Sequence, residues 1–393
     1  MLLTFDPKFF TLFHFSMLDC LLAVLWETSP EIWPSGPFPL RWYGLLFAAA
    51  FFFGQIIITY IFKKDGKPEK DVDLLTYYMI GATVLGARLG HCLFYDPAYY
   101  LSHPLEILKI WEGGLASHGA TMGILIAMWL YSKKRPDQSW LWILDRIVIV
   151  VALGGALIRL GNLMNSEIIG KPANTPLSMI FLHPFEEMLA ETEGQRLASF
   201  AFNKTGKSES IQGTDMEQLQ LDLVFKRDAL PGNSAEAFWQ SAVPQIISAS
   251  NGRTSEKFPN GDEPHLYFEP RPENVQTEMS TDGLVKMKLT LWGIPRHPAM
   301  VYESASTFML FVLLFFLWYR YRQNWPEGRL FGIFVVVLFS LRFFYEFLKE
   351  NQSDFEDQLS LNMGQLLSLP LVLFGIFLIV RQGLLKPRQK EQV

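Results

Sequence analysis

Charge is scarce in this chain. Only 19% of its 393 residues are Asp, Glu, Lys or Arg, whereas a soluble domain carries about a quarter. Cysteine is scarcer: Cys20 and Cys92 are the only two. Both lie in apolar stretches, which argues against a disulfide framework or a metal site. There is no internal repeat and no low-complexity tract. The net charge is −5, and residues 183–290 hold 17 Asp/Glu against 10 Lys/Arg. The acidity therefore belongs to one polar segment, and no nucleic-acid partner follows from it. The N-terminus has no basic n-region and no clear small-residue cleavage site, so it reads as retained rather than as a removed signal peptide. Met17-Leu18-Asp19-Cys20 loosely resembles a lipobox, but Asp19 stands where a small residue is needed.

What is abundant is apolar surface: 50% of residues are hydrophobic and 15% aromatic. A spanning helix needs roughly 20 mostly apolar residues. Seven runs meet or approach that length, at about 40–62, 73–95, 115–132, 141–161, 304–321, 329–349 and 365–382. An eighth apolar stretch, 8–27, carries His14 and Asp19 and precedes Pro34, Pro37 and Pro39. It reads as an interfacial helix in preference to a span.

Short-loop lysines and arginines set the expected orientation. Lys63, Lys64, Lys67 and Lys70 follow the first span, and Lys133, Lys134 and Arg135 follow the third. Arg320, Arg322 and Arg329 flank the loop after the fifth, and Arg381, Lys386, Arg388 and Lys390 are in the tail. The opposite loops are nearly bare. This predicts an α-helical integral membrane protein of about seven transmembrane helices, with residues 1–39 extracytoplasmic or interfacial. Spans one to four occupy 40–161, an extracytoplasmic head follows at 162–303, spans five to seven occupy 304–382, and the tail 383–393 is cytoplasmic. The head reads as α+β and loop-rich, with a polar insertion near 190–290. Alternating patches at Leu219–Phe225 and Leu284–Leu291 are its candidate strands.

A charged side chain at the bilayer centre costs about 2.5 to 3.5 kcal/mol on insertion scales, so such residues face a partner, a cavity or a headgroup. Arg88 lies in span two, Arg159 ends span four, and Arg342 with Glu346 lie one turn apart in span six. Each has a structural reading: Arg88 capping carbonyls, Arg159 snorkelling, Arg342–Glu346 as an i,i+4 pair. Their number favours an anion site, because a guanidinium presents a planar donor fork that suits phosphate, and the abundant phosphate of a membrane is a lipid headgroup. His118 opens span three among small residues in Ser117-His118-Gly119-Ala120. It is either a satisfied structural histidine or a proton acceptor near neutral pH. The run Arg159-Leu-Gly161-Asn162-Leu-Met-Asn165-Ser-Glu167-Ile-Ile-Gly170 is the densest polar stretch near a span. It is either a helix terminus or a site with Arg159, Asn162 and Asn165 on one helical face.

At these residues the sequence resembles the bacterial prolipoprotein diacylglyceryl transferases. The Arg159–Gly170 run is similar to the family signature. Further blocks follow in family order: Arg41-Trp42-Tyr43-Gly44, Gly86–Gly90, Gly113–Gly119, Pro295-Arg296-His297-Pro298 with Tyr302-Glu303, Arg342 with Glu346, and Met363-Gly364-Gln365. The resemblance covers nearly the whole chain except the N-terminal stretch and 190–290. Ile158, Leu163, Met300 and Leu338 depart from the family pattern, which has Gly, Phe, Gln and Tyr there.

The resemblance implies transfer of the diacylglyceryl group of phosphatidylglycerol to the lipobox cysteine thiol of a prolipoprotein, forming a thioether and releasing glycerol phosphate. It implies a bacterial plasma (inner) membrane location and no metal or other cofactor. A thiol of pKa about 8.5 has to become a thiolate, and the departing phosphate needs charge stabilisation. The implied catalytic residues are His118, as base or thiolate stabiliser, and Arg159 and Arg342, which hold the phosphate. The implied phosphatidylglycerol-binding residues are Tyr43, Arg88, Arg159, Asn162, Asn165, Glu167, Arg342 and Glu346. The alternative, a polytopic transporter of an anionic substrate, explains intramembrane arginines but predicts a repeat and broken helices in matching halves. A scaffold leaves the polar clusters without a purpose.

Overall fold

The computed structural model describes residues 23–33, 40–109, 114, 116–211, 213–226, 229, 265–267, 275–279, 284–349 and 361–384. Residues 8–22 of the eighth apolar stretch, Pro34, Pro37, Pro39, Gly113 and most of 227–283 lie outside them. The contacts divide the chain into two units. One comprises Met1–Trp42, Asn162–Tyr302 and Tyr345–Met363; the other comprises Tyr43–Gly161, Glu303–Phe344 and Gly364–Val393.

Every one of the seven apolar runs folds as a helix. In chain order these are α1 Trp42–Lys64 and α2 Glu69–Phe94, then, after the short α3 Pro97–Ser102 and a 3-10 turn Pro104–Leu108, α4 Ser117–Lys134 and α5 Trp140–Met164. After α6 His183–Glu193 come α7 Ala299–Tyr321, α8 Arg329–Tyr345 and α9 Met363–Leu384. Among the described residues, α1, α5, α7 and α9 are long and apolar enough to cross a membrane by length and composition. Of the others, α8 has 17 residues, and α2 opens on Glu69, Lys70, Asp71 and Asp73.

The helical unit packs around Ile61, Phe62, Leu75, Met128, Tyr131, Ile143, Ile149, Leu314 and Trp318. Within it α2 and α4 cross on bare backbone. A Cβ at Gly90 would sit 2.6 Å from Gly119 Cα, and one at Gly123 would sit 2.7 Å from the Ala82 carbonyl. Gly86-x3-Gly90 and Gly119-x3-Gly123 thus form a small-residue seam of the kind that brings membrane helices together.

At the lysine-rich end the same unit carries a charge network that the apolar pattern does not reveal. Asp65 pairs with Arg146 at 2.9 Å, both side chains buried, and the Arg146 guanidinium lies 4.1 Å from the Trp142 ring centroid. Asp71 accepts from Arg135 and from Gln138, each at 2.6 Å. Asp145 accepts from the backbone N–H of Gly328 and Phe331 at 2.7 and 2.8 Å. It thereby satisfies orphan donors at the start of α8.

The other unit is built on sheet. β1 Val24–Trp26 runs parallel to β2 Met179–Phe181. A larger sheet has the order β3 Leu197–Ile211, β4 Thr214–Phe225, β7 Val285–Gly293, β5 Leu266–Tyr267, with β6 Val275–Met279 also on β7. Both expected strand patches fold as strands, β4 and β7, and pair antiparallel with Leu221 opposite Leu289. Their side chains alternate as a pleated strand requires. Leu219, Leu221, Leu223 and Phe225 are buried with Met287, Leu289 and Leu291 against Phe185 and Leu189 of α6. Of the stretch expected as an interfacial helix, the described residues Val24–Trp26 form strand instead. Ala23 just before it is held by Glu217, which accepts from its N–H, and by Lys204, which donates to its carbonyl.

Candidate active site

The polar run that ends α5 is strained. The helix continues past Arg159 to Met164, so Arg159 and Asn162 lie one turn apart on it, while Asn165 falls in the turn beyond. There Ser166 has φ 52° and Ile168 has φ 60°. The left-handed region is costly for residues other than glycine, and most of all for a β-branched one.

The geometry gathers three side chains. The Asn162 amide donates to one carboxylate oxygen of Glu167 at 2.9 Å, and the Asn165 amide donates to the other at 3.2 Å. The Glu167 N–H returns to the Asn162 carbonyl at 2.9 Å. Glu167 is therefore clamped through both oxygens. Next to this clamp, Asn165 Oδ1 and the Ser166 hydroxyl are buried without a hydrogen-bond partner among the described residues.

Gly170 closes the run because nothing larger fits. A Cβ there would lie 2.7 Å from the His297 carbonyl and 2.8 Å from that of Leu348. Its N–H donates to His297 at 2.9 Å, and the next N–H, of Lys171, donates to Leu348 at 2.8 Å. The fully buried Arg296 donates to the Gly170 carbonyl at 3.1 Å. Three separate sequence blocks, the signature run, Pro295–Pro298 and the segment after α8, are in this way woven into one backbone frame. Burial holds the His297 imidazole below its usual value. His265 is also buried, with neither ring nitrogen bonded among the described residues, and burial plus the Arg296 charge push it down to about 3.

Glu346 lies just beyond α8, which stops at Tyr345, so it is not an interior residue of the span. Its carboxylate is 3.6 Å from the buried Lys349 ammonium and accepts from Asn362 at 3.2 Å.

In the helical unit, Arg159 meets Glu303. Nε and Oε2 are 2.5 Å apart, with Arg159 31% and Glu303 9% exposed. Tyr43 packs on Gly161, where a Cβ would approach its Cδ2 to 2.9 Å. His118 is exposed at the first turn of α4, with its ring centroid 5.0 Å from Phe94 and 6.0 Å from Tyr95. Arg342 is exposed in the last turn of α8. Arg88 is buried and donates to the carbonyls of Ile107 at 3.0 Å and Glu106 at 2.5 Å. Its guanidinium carbon lies 5.2 Å from the Tyr100 ring. These contacts are the carbonyl-capping reading of Arg88, and they fasten the 104–108 turn to α2.

Sequence reasoning gave no role to Glu303, Lys349 or Asn362. Glu303 stood in the Tyr302-Glu303 block, and a carboxylate opening an apolar run was the available signal. Lys349 and Asn362 carried no comparable one.

The profile of the prolipoprotein diacylglyceryl transferase family matches residues 30–381. A phosphatidylglycerol–prolipoprotein diacylglyceryl transferase of Chloroherpeton thalassium is 33% identical over 362 residues, 92% of this chain and 95% of that protein. The enzyme of that name from Tolumonas auensis is 33% identical over 366 residues, covering 93% of this chain and 100% of its own. One from Bacteroides fragilis is 30% identical over 379 residues, 93% of this chain and 98% of its own.

Proposed function

The chain belongs to the prolipoprotein diacylglyceryl transferase family, and from that premise we propose how its residues divide the work. The reaction moves the diacylglyceryl group of phosphatidylglycerol onto the lipobox cysteine of a prolipoprotein. The thiolate sulfur bonds to the glyceryl carbon, and the carbon–oxygen bond to phosphate breaks with its electron pair leaving on glycerol phosphate. Family membership does not favour the transporter reading.

His118, exposed at the start of α4, takes or balances the thiol proton. Arg159 and Arg342 hold the phosphate as its charge grows, which is stabilisation placed where charge develops. Asn162, Asn165 and Glu167 orient the headgroup together with Tyr43. Glu346, set by Lys349 and Asn362, positions rather than reacts. Arg88 serves by fixing the 104–108 turn. The observation that carries this reading is the two-amide clamp on Glu167 inside a strained run, because backbone strain clusters where a site is preorganised.

The seven helices serve as spans of a bacterial plasma membrane, with the lysine-rich loops and the C-terminus cytoplasmic and 162–303 outside. The short-loop charge bias supports that orientation. A lipobox cysteine exported across the membrane then meets the site on the outer side.

The test is direct. Purified protein is mixed with phosphatidylglycerol and a lipobox peptide, and the peptide is weighed. A diacylglyceryl mass increment on cysteine is expected, lost in Arg159→Ala and in His118→Gln. Full transfer by either variant overturns that residue's role.

A further inference from the structure

We propose that Glu303 is a counter-charge that tunes how tightly Arg159 grips phosphate, so that the more highly charged product is let go. This rests on the reading above that Arg159 holds the phosphate. The donor lipid is a phosphodiester with one negative charge. Once the carbon–oxygen bond has broken toward phosphate, the leaving group is a phosphomonoester carrying about −1.5 to −2 at neutral pH. An arginine with its full charge binds that product more strongly than the donor, and a tightly held product limits turnover.

The structure supplies the attenuation. Glu303 Oε2 lies 2.5 Å from Arg159 Nε, on the more buried side of the pair. Its place is set by backbone packing rather than by a flexible tether. The Thr307 hydroxyl donates to the Glu303 carbonyl at 2.6 Å, and Ser304 donates to the Ala156 carbonyl on α5 at 2.9 Å. Gly155 lets the Thr307 methyl come close, since a Cβ there would lie 3.2 Å from it. Helices α5 and α7 are thereby fixed within a turn of the ion pair. A carboxylate in that position cancels part of the guanidinium charge and fixes the guanidinium plane through Nε, an anchoring that lysine's single ammonium cannot reproduce. Glu303 is therefore a positioning residue, acting on phosphate through Arg159.

The experiment uses full-length protein in detergent micelles, with glycerol phosphate as the probe. Phosphorus NMR titration measures its dissociation constant, and lipobox-peptide assays measure kcat and KM for phosphatidylglycerol. Removing one charge beside a partly buried cation predicts that Glu303→Gln binds glycerol phosphate roughly tenfold tighter. Its kcat falls while KM stays level or drops. Glu303→Asp keeps the charge at a shorter reach, so it lowers kcat but leaves the dissociation constant within about twofold of wild type. Should Glu303→Gln fold poorly, Glu303→Ser removes the same charge and gives the same comparison. Unchanged product affinity in the uncharged variants overturns the proposal, as does an equal shift in Glu303→Asp. Arg159→Ala separates the two ideas: with Arg342 still in place it should weaken glycerol phosphate binding roughly tenfold or more, and if the affinity is unchanged, the phosphate role of Arg159 fails first.

Discussion

The Asn162 amide donates to Glu167 at 2.9 Å while the Glu167 backbone N–H donates back to the Asn162 carbonyl at 2.9 Å. This reciprocal pair ties the last turn of α5 to the strained run that follows it, so a side chain that reads as headgroup contact also holds the backbone shape of the site.

Asn162→Ala should therefore cost more than one contact. A hydrogen bond to a charged group contributes about 1.5–3 kcal/mol, so kcat/KM should fall by roughly 10- to 100-fold. Initial rates of peptide lipidation check this. A variant with wild-type kcat/KM would remove the clamp from the mechanism.

Ser166 holds two costs at once, a φ of 52° and a buried hydroxyl with no partner among the described residues. Ser166→Gly relieves both and should stabilise the protein by about 1 kcal/mol. Thermal unfolding in detergent should show a higher midpoint. A lower midpoint would mean the hydroxyl has a stabilising role.

The α2–α4 seam tolerates no side chain. Gly90→Val would drive its Cβ into Gly119, 2.6 Å away, and backbone cannot yield as a flexible side chain does. A loss of stability of about 1–3 kcal/mol or more is expected. Yield of folded protein and its unfolding midpoint are the measurements, and an unchanged midpoint would contradict the packing.

His265 makes the sheet-bearing unit acid-sensitive. Its ordinary pKa of 6.5 is pushed down to about 3 when folded, so the unfolded chain takes up a proton first as the pH drops. Its contribution to stability is whole above about pH 6.5. It is lost toward pH 3, at up to about 1.4 kcal/mol per pH unit. His265→Gln should flatten unfolding free energy against pH between 6.5 and 4. The wild-type slope persisting in that variant would place the sensitivity elsewhere.

The helices were legible because a long apolar run has few other ways to satisfy its backbone. Strands β4 and β7 were legible from strict alternation. Strand β1 was not, because Val24–Trp26 is strand only by pairing with Met179–Phe181 far along the chain. At the site, the signature run and its arginine stood out as charge in apolar surroundings, but their partners did not. The Arg159 pairing with Glu303 joins two helices 144 positions apart in sequence, and nothing local encodes it. Arg88 shows the converse. Its position marked it as costly, yet its described hydrogen bonds go to backbone carbonyls, which every residue carries and no sequence pattern distinguishes.

The glycine seam also decides where a lipid tail cannot go. Where the backbones of α2 and α4 touch, no gap wide enough for an acyl chain exists between them. The two glycine pairs act as a hydrocarbon-tight seal on this flank, so an acyl chain can lie along the outside of the α2–α4 pair but not between its helices.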